Sequence, residues 1–182
     1  MKFFHLSDLH IGKQLYHYNM MDEQRDILDQ IVELTKREQP DAVLIAGDIY
    51  DTPVPSAESV ALFDHFLTEL NEIEPQVTVC MIAGNHDSAK RLDFASSILA
   101  KHRVVIAGMP PVTEEEHLEQ VVFEDAYGEV AVYLLPFVKP SYVRGFGVEI
   151  GTYEDAVHFL IEREQIDPEK RNVIVSHQFY TS

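Results

Sequence analysis

A chain of 182 residues with 46% hydrophobic and 25% charged side chains is long enough to bury a core and too balanced to be disordered, which favours one α/β-sized domain. Its net charge of −17, from 14 basic and 31 acidic residues, speaks against a polyanion-binding surface unless bound cations or a basic partner reverse the local field. The single cysteine, Cys80, excludes an internal disulfide framework and fits a reducing, cytoplasmic compartment. No run approaches the ~18–20 apolar residues of a membrane span, and the opening Met1-Lys2-Phe3-Phe4-His5 is unlike a secretory leader.

In chain order, Phe3 to Leu6 reads as a first strand, with His5 a core residue or a support for the residues after the strand. Asp22 to Glu38 reads as a helix with Ile27, Ile31 and Leu34 at helical spacing and Pro40 just beyond its end. Ala42 to Ala46 is a short, fully apolar strand of the buried kind. Ser56 is placed to cap a helix in which Val60, Phe63, Leu67 and Leu70 share one face. Val77 to Ala83 comes next as a strand, then Leu92 to Ala100 as a helix and Val104 to Ala107 as an extended segment. Val121 to Glu124 and Val130 to Leu135 flank Tyr127-Gly128, the pattern of a β-hairpin. Pro136 to Gly151 reads as a loop, Thr152 as the cap of a helix reaching about Gln165, and Asn172 to Ser176 as a last strand. Strands alternating with amphipathic helices predict a layered α/β fold.

Chemistry-bearing residues follow four of the apolar runs: Asp8 and His10; Asp48 and Asp51; Asn85, His86 and Asp87; and His177. The C-terminal edge of an open α/β sheet is where ligands bind. Side chains at i and i+2 of an extended segment point the same way, which would bring Asp8 and His10 to one ion. Gly47 and Gly84 would permit the tight turns that press Asp48 and Asn85 against the sheet edge. Carboxylate, imidazole and amide oxygen together suit Mn²⁺, Fe²⁺ or Zn²⁺, and two such ions about 3.5–4 Å apart can grip a phosphate and activate water. His17, His65, His102, His117 and His158 lie away from strand ends and are expected at the surface. Lys90 and Arg91, just after the Asn85-His86-Asp87 turn, are candidate contacts for a substrate phosphate or simply a solvated helix start.

In their order, Asp8-x-His10, Gly47-Asp48-x-x-Asp51 and Gly84-Asn85-His86-Asp87 resemble the signature of the calcineurin-like metallophosphoesterases. The stretches from Leu6 to Gly12, Ala46 to Thr52 and Ala83 to Ser88 look like the SbcD-type DNA nucleases within it. That resemblance implies an α/β/β/α sandwich with two metal ions, Mn²⁺ by preference, at one edge. It implies that Asp8, His10 and Asp48 hold one ion, that Asp48 bridges, and that Asn85 and His177 hold the other. His86 would face the substrate phosphate and protonate the leaving oxygen, and Asp51 would orient His86. It further implies exonuclease and endonuclease action on DNA in repair, recombination and replication, homodimerisation through helices of this domain, and a coiled-coil ATPase partner of the SbcC type.

The family pattern continues to a Gly-His-x-His motif and a capping domain, neither of which occurs within residues 1–182. The chain is therefore expected to be a fragment that binds metal weakly and cleaves DNA poorly. A phosphatase or cyclic-nucleotide phosphodiesterase of the same fold, or a scaffold without catalysis, are the alternative readings.

Overall fold

The computed structural model describes residues 1–180. Its first sheet is four-stranded and parallel, in the order β1 (Phe3–Leu6), β4 (Ala42–Ala46), β5 (Thr78–Ile82), β6 (Val104–Ala107). The second contains β7 (Glu119–Asp125), β8 (Gly128–Leu135) and β9 (Arg171–Ser176); β7 and β8 form the expected antiparallel hairpin, and β9 runs parallel to β8.

Side-chain alternation explains why the two sheets stack. In β4 and β5, Leu44, Ala46, Cys80 and Ile82 turn toward Val130, Val132 and Leu134 of β8 and Val175 of β9, filling the space between sheets. Val43, Ile45, Val79 and Met81 turn the other way, onto α1 (Met21–Glu38) and α2 (Ala57–Asn71). Strands apolar on both faces are buried on both, hence their uninterrupted hydrophobic runs. On the far side of the second sheet, Ala156, Val157 and Leu160 of α5 (Tyr153–Arg163) pack with Leu135, Val138 and Val143. The layers are α/β/β/α.

Local signals act at several ends. The Ser56 hydroxyl accepts the Ser59 N–H at 3.1 Å and the Thr152 hydroxyl that of Asp155 at 3.1 Å, each starting its helix as expected. The buried stripes are shifted from the expected ones. Leu28, Val32 and Thr35 face the core of α1, while Ile27 is 52% and Leu34 37% exposed. Two overlapping stripes run along this helix, and the sheet selects the one containing Thr35, whose hydroxyl is satisfied by the Ile31 carbonyl at 2.8 Å. In α2 the buried set is Ser59, Leu62, Phe63, Phe66 and Leu70; Val60 lies outside it.

Two further expectations are corrected, and one element is new. The segment 92–100 is not one helix: α3 (Ala89–Leu92) and α4 (Ser96–Leu99) are separated by Ala95, whose φ of 62° breaks the helical path. His5 is exposed, because β1 is an edge strand. A small hairpin of β2 (Gln14–Leu15) and β3 (Tyr18–Asn19) projects after β1, with Tyr16 and His17 at positive φ in its turn. Among the described residues no helix is long and apolar enough to cross a membrane.

Candidate metal centre

Parallel pairing of β1 with β4 sends both chains out of the sheet at the same edge. Beyond the last ladder pair they stay zipped: Asp8 N donates to Gly47 O (3.1 Å), His10 N to Asp48 O (2.9 Å) and Ile11 N to Ile49 O (2.9 Å). Gln24, in the first turns of α1, grips the outer loop by accepting the Gly12 N–H (2.9 Å) and donating to the His10 carbonyl (2.7 Å). Asp8 and His10 therefore converge through a turn, not along an extended segment. Their φ angles are 56° and 44°, and that of Asp48 is 50°. Left-handed backbone at non-glycine residues costs roughly 1–3 kcal/mol each and gathers at functional sites.

The glycines act in two different ways. Gly47 turns the chain at φ 84°, and a Cβ there would come within 2.7 Å of the His177 ring. Gly84 has no positive φ; it is required because a Cβ would collide with the backbone and carboxylate of Asp48. Behind this contact the Asp87 carboxylate accepts three backbone N–H groups, from Gly84 (2.9 Å), Tyr50 (3.0 Å) and Ile49 (3.1 Å). Asp87 thus clamps the β4 and β5 loops together, a role its place in the motif does not reveal. Its only sequence signal is an acidic residue following a turn.

Asp48, 3% exposed, is the centre of the site. Its Oδ1 accepts the His86 backbone N–H at 2.8 Å. Its Oδ2 faces the Nε2 atoms of His177, His10 and His86 at 3.5, 3.6 and 4.0 Å. Asp8 Oδ1 lies 3.7 Å from His10 Nε2, and Asn85 Oδ1 3.2 Å from His177 Nε2. Two overlapping sets of donors result, His10–Asp48–His86 and Asp8–Asp48–His177, sharing Asp48. The structure thus brings Asp8, His10, Asp48, Asn85, His86 and His177 into one open cleft of about 440 Å³, walled by Phe137, Gln178 and Tyr180 among others.

The donor chemistry fits cations. His177 Nδ1 lies 2.7 Å from the Ala46 carbonyl, which only accepts, so that nitrogen carries the proton and Nε2 of the neutral ring is a lone pair. His86 Nδ1 is likewise committed to the Asp51 carbonyl at 2.9 Å. The lone pair of His177 Nε2 then faces the Asp48 carboxylate and the Asn85 amide oxygen, acceptor against acceptor, an arrangement that a divalent ion between them converts from repulsive to attractive. Two donors each about 2.1 Å from one ion sit roughly 3.0–3.5 Å apart, a range met by the Asn85–His177 and Asp48–His177 separations and approached by those of His10 to Asp48 and Asp8. Asp8 is also touched by the Ser7 hydroxyl, which reaches the Ala46 carbonyl as well.

One predicted placement is corrected, and of the two readings of Lys90 and Arg91 the solvated helix start is the one found. The Asp51 carboxylate is not on His86: its Oδ1 lies 3.3 Å from His10 Nδ1, and only its backbone carbonyl reaches His86. Lys90 and Arg91 do not line the cleft. The short helix α3 carries them to an apolar groove beside α2, with Phe63, Leu67 and Phe94. The Asp51 carbonyl raises the pKa of His86 above its ordinary value; burial opposes this, and the carboxylates of Asp48, Asp51 and Asp87 reinforce it. Cys80 takes no part: it is fully buried between the sheets, and burial pushes its thiol up to about 12. His17, His65, His102, His117 and His158 are exposed, as expected.

A model of the calcineurin-like phosphoesterase family matches residues 1–176. The SbcD component of the SbcCD nuclease from Staphylococcus epidermidis is 33% identical over 181 residues, covering 97% of this chain and 46% of that protein. Its namesake from Staphylococcus saprophyticus is 33% identical with the same coverage. The chain spans about half the length of these curated relatives. The crystal structure of a dimetal phosphatase from Danio rerio is similar in fold, with a TM-score of 0.53 and 16% identity over 97% of this chain and 69% of that one.

Proposed function

The chain belongs to the calcineurin-like phosphoesterase family, and from that premise we propose that it is the metal-binding part of a DNA nuclease that hydrolyses phosphodiester bonds at a two-ion centre. The observation that carries the reading is the convergence of three imidazole Nε2 atoms within 4.0 Å of one buried carboxylate oxygen of Asp48. Identity of 33% to the SbcD component of the SbcCD nuclease favours the nuclease branch.

In this reading Asp8, His10 and Asp48 would hold one ion, and Asn85 and His177, with Asp48 shared, the other. A pair of divalent ions, Mn²⁺ first, supplies Lewis-acid polarisation of a phosphoryl oxygen and a water nucleophile at neutral pH. The protein's own work is to hold the donors in strained, pre-set positions and to deliver a proton. His86 is suited to the second task. The Asp51 carbonyl fixes its ring, and its Nε2 opens on the cleft, where it would protonate the leaving oxygen.

The same reading extends to partners. The relatives' name places them in a two-component assembly, and an ATPase of the SbcC type is the proposed partner here, in DNA repair and recombination within the cytoplasm. A second copy of the chain is proposed to cover the groove beside α2, where Val60 (46%) and Phe94 (83%) expose apolar surface.

The charge of −17 favours a second reading, a phosphatase or cyclic-nucleotide phosphodiesterase, whose small substrate needs no basic groove. Turnover of linear duplex DNA and of a small aryl phosphodiester, measured with Mn²⁺ on the protein at its full natural length, separates the two. The nuclease reading predicts cleavage of both, with His86→Asn lowering turnover of duplex roughly 10²–10⁴-fold while Mn²⁺ stays bound. Turnover of small esters with intact duplex would decide for the second.

A further inference from the structure

Building on the metal-centre reading, we infer that the Asp51 side chain is a positioning residue for the ligand His10, while its main chain separately positions His86. A histidine that offers Nε2 to a cation must carry its proton on Nδ1, and that N–H needs an acceptor. His10 Nε2 faces Asp8 and Asp48 at 3.7 and 3.6 Å. Its Nδ1 is buried and makes no hydrogen bond within the described residues. Asp51 Oδ1 stands 3.3 Å from this orphaned nitrogen, within hydrogen-bonding distance but without the geometry of a formed hydrogen bond. The approach is built into the fold: Asp51 N donates to the Ile11 carbonyl at 3.2 Å, and Ile11 bridges to Tyr50 in parallel pairing, which holds the two loops in register.

Two oxygens of Asp51 thus act on two different rings. The carbonyl sits 2.9 Å from His86 Nδ1. The two imidazoles meet edge to face, with centroids 4.9 Å apart and planes at 88°. Side-chain substitution therefore removes the support of His10 and leaves that of His86 in place. A carboxylate behind a ligating imidazole strengthens the ligand and fixes its ring plane, and its loss weakens metal binding about 10–100-fold.

Calorimetric titration with Mn²⁺, using the full-length natural protein, tests the assignment. Asp51→Ala is expected to raise the Kd of one Mn²⁺ site about 10–100-fold and to recover most turnover at saturating Mn²⁺. Asp51→Asn, which keeps an oxygen for the Nδ1–H but no charge, is expected to fall between that variant and wild type, and serves alone if the alanine variant does not fold. Unchanged Mn²⁺ affinity in the variants overturns the assignment, and turnover lost even at saturation then returns the side chain to His86. A wild-type protein that binds no Mn²⁺ overturns the metal centre itself and this assignment with it.

Discussion

Asp48→Asn is expected to remove tight Mn²⁺ binding and to lower phosphodiesterase turnover by about 10³-fold or more, because metal ions supply several kcal/mol of charge stabilisation in such a transition state. The substitution is nearly isosteric. An Asn Oδ1 can still accept the His86 backbone N–H now held at 2.8 Å, so the β5 loop keeps its anchor. What disappears is the negative charge at Oδ2, the atom faced by His10, His86 and His177. Without it the two donor sets lose their common member. Thermal unfolding of the metal-free variant should match or exceed wild type, since a buried carboxylate with one hydrogen bond costs desolvation. Loss of activity together with loss of fold would place Asp48 in the scaffold instead of the site.

Phe66→Ala should act in the opposite way, costing about 3–5 kcal/mol of stability with no direct effect on the donors. Phe66 is 2% exposed, and its ring lies 6.3 Å from that of Phe63 on the face of α2 that covers the first sheet. Removing it leaves a cavity that helix and sheet cannot close without disturbing Val43, Ile45, Val79 and Met81, which pack in the same layer. For a chain of this length the loss corresponds to a fall in Tm of roughly 6–20 °C, readable by calorimetry. A fall of under about 2 °C would mean that the helix layer repacks freely and is no rigid support for the site.

The strands could be placed from sequence because their apolar runs are uninterrupted, and the residues now gathered in the cleft because they come directly after those runs. Asp8, His10, Asp48, Asn85, His86 and His177 needed no long-range knowledge beyond the parallel order of β1, β4 and β5 and the arrival of β9 at the same edge. Other features depended on tertiary context. Ile27 and Leu28 are adjacent apolar residues of α1, and only the sheet decides which is buried. Asp51 turns its carboxylate to His10 instead of His86 because the pairing of Ile11 with Tyr50 sets where the two loops lie, a register that no single motif contains. The positive φ at Ala95 divides a segment whose composition is helical. Lys90 and Arg91 come after the turn in sequence, yet α3 carries them to the α2 groove. Asp87 looked like part of a motif and proved to be the clamp beneath it.

The most direct test of a paired-cation centre on Asp48 is anomalous diffraction from crystals of the full-length protein soaked in Mn²⁺. Two peaks about 3.5–4 Å apart, with the Asp48 carboxylate between them and His10 and His177 on opposite flanks, are the expected result. Density with no peak within bonding distance of Asp48 would contradict the account.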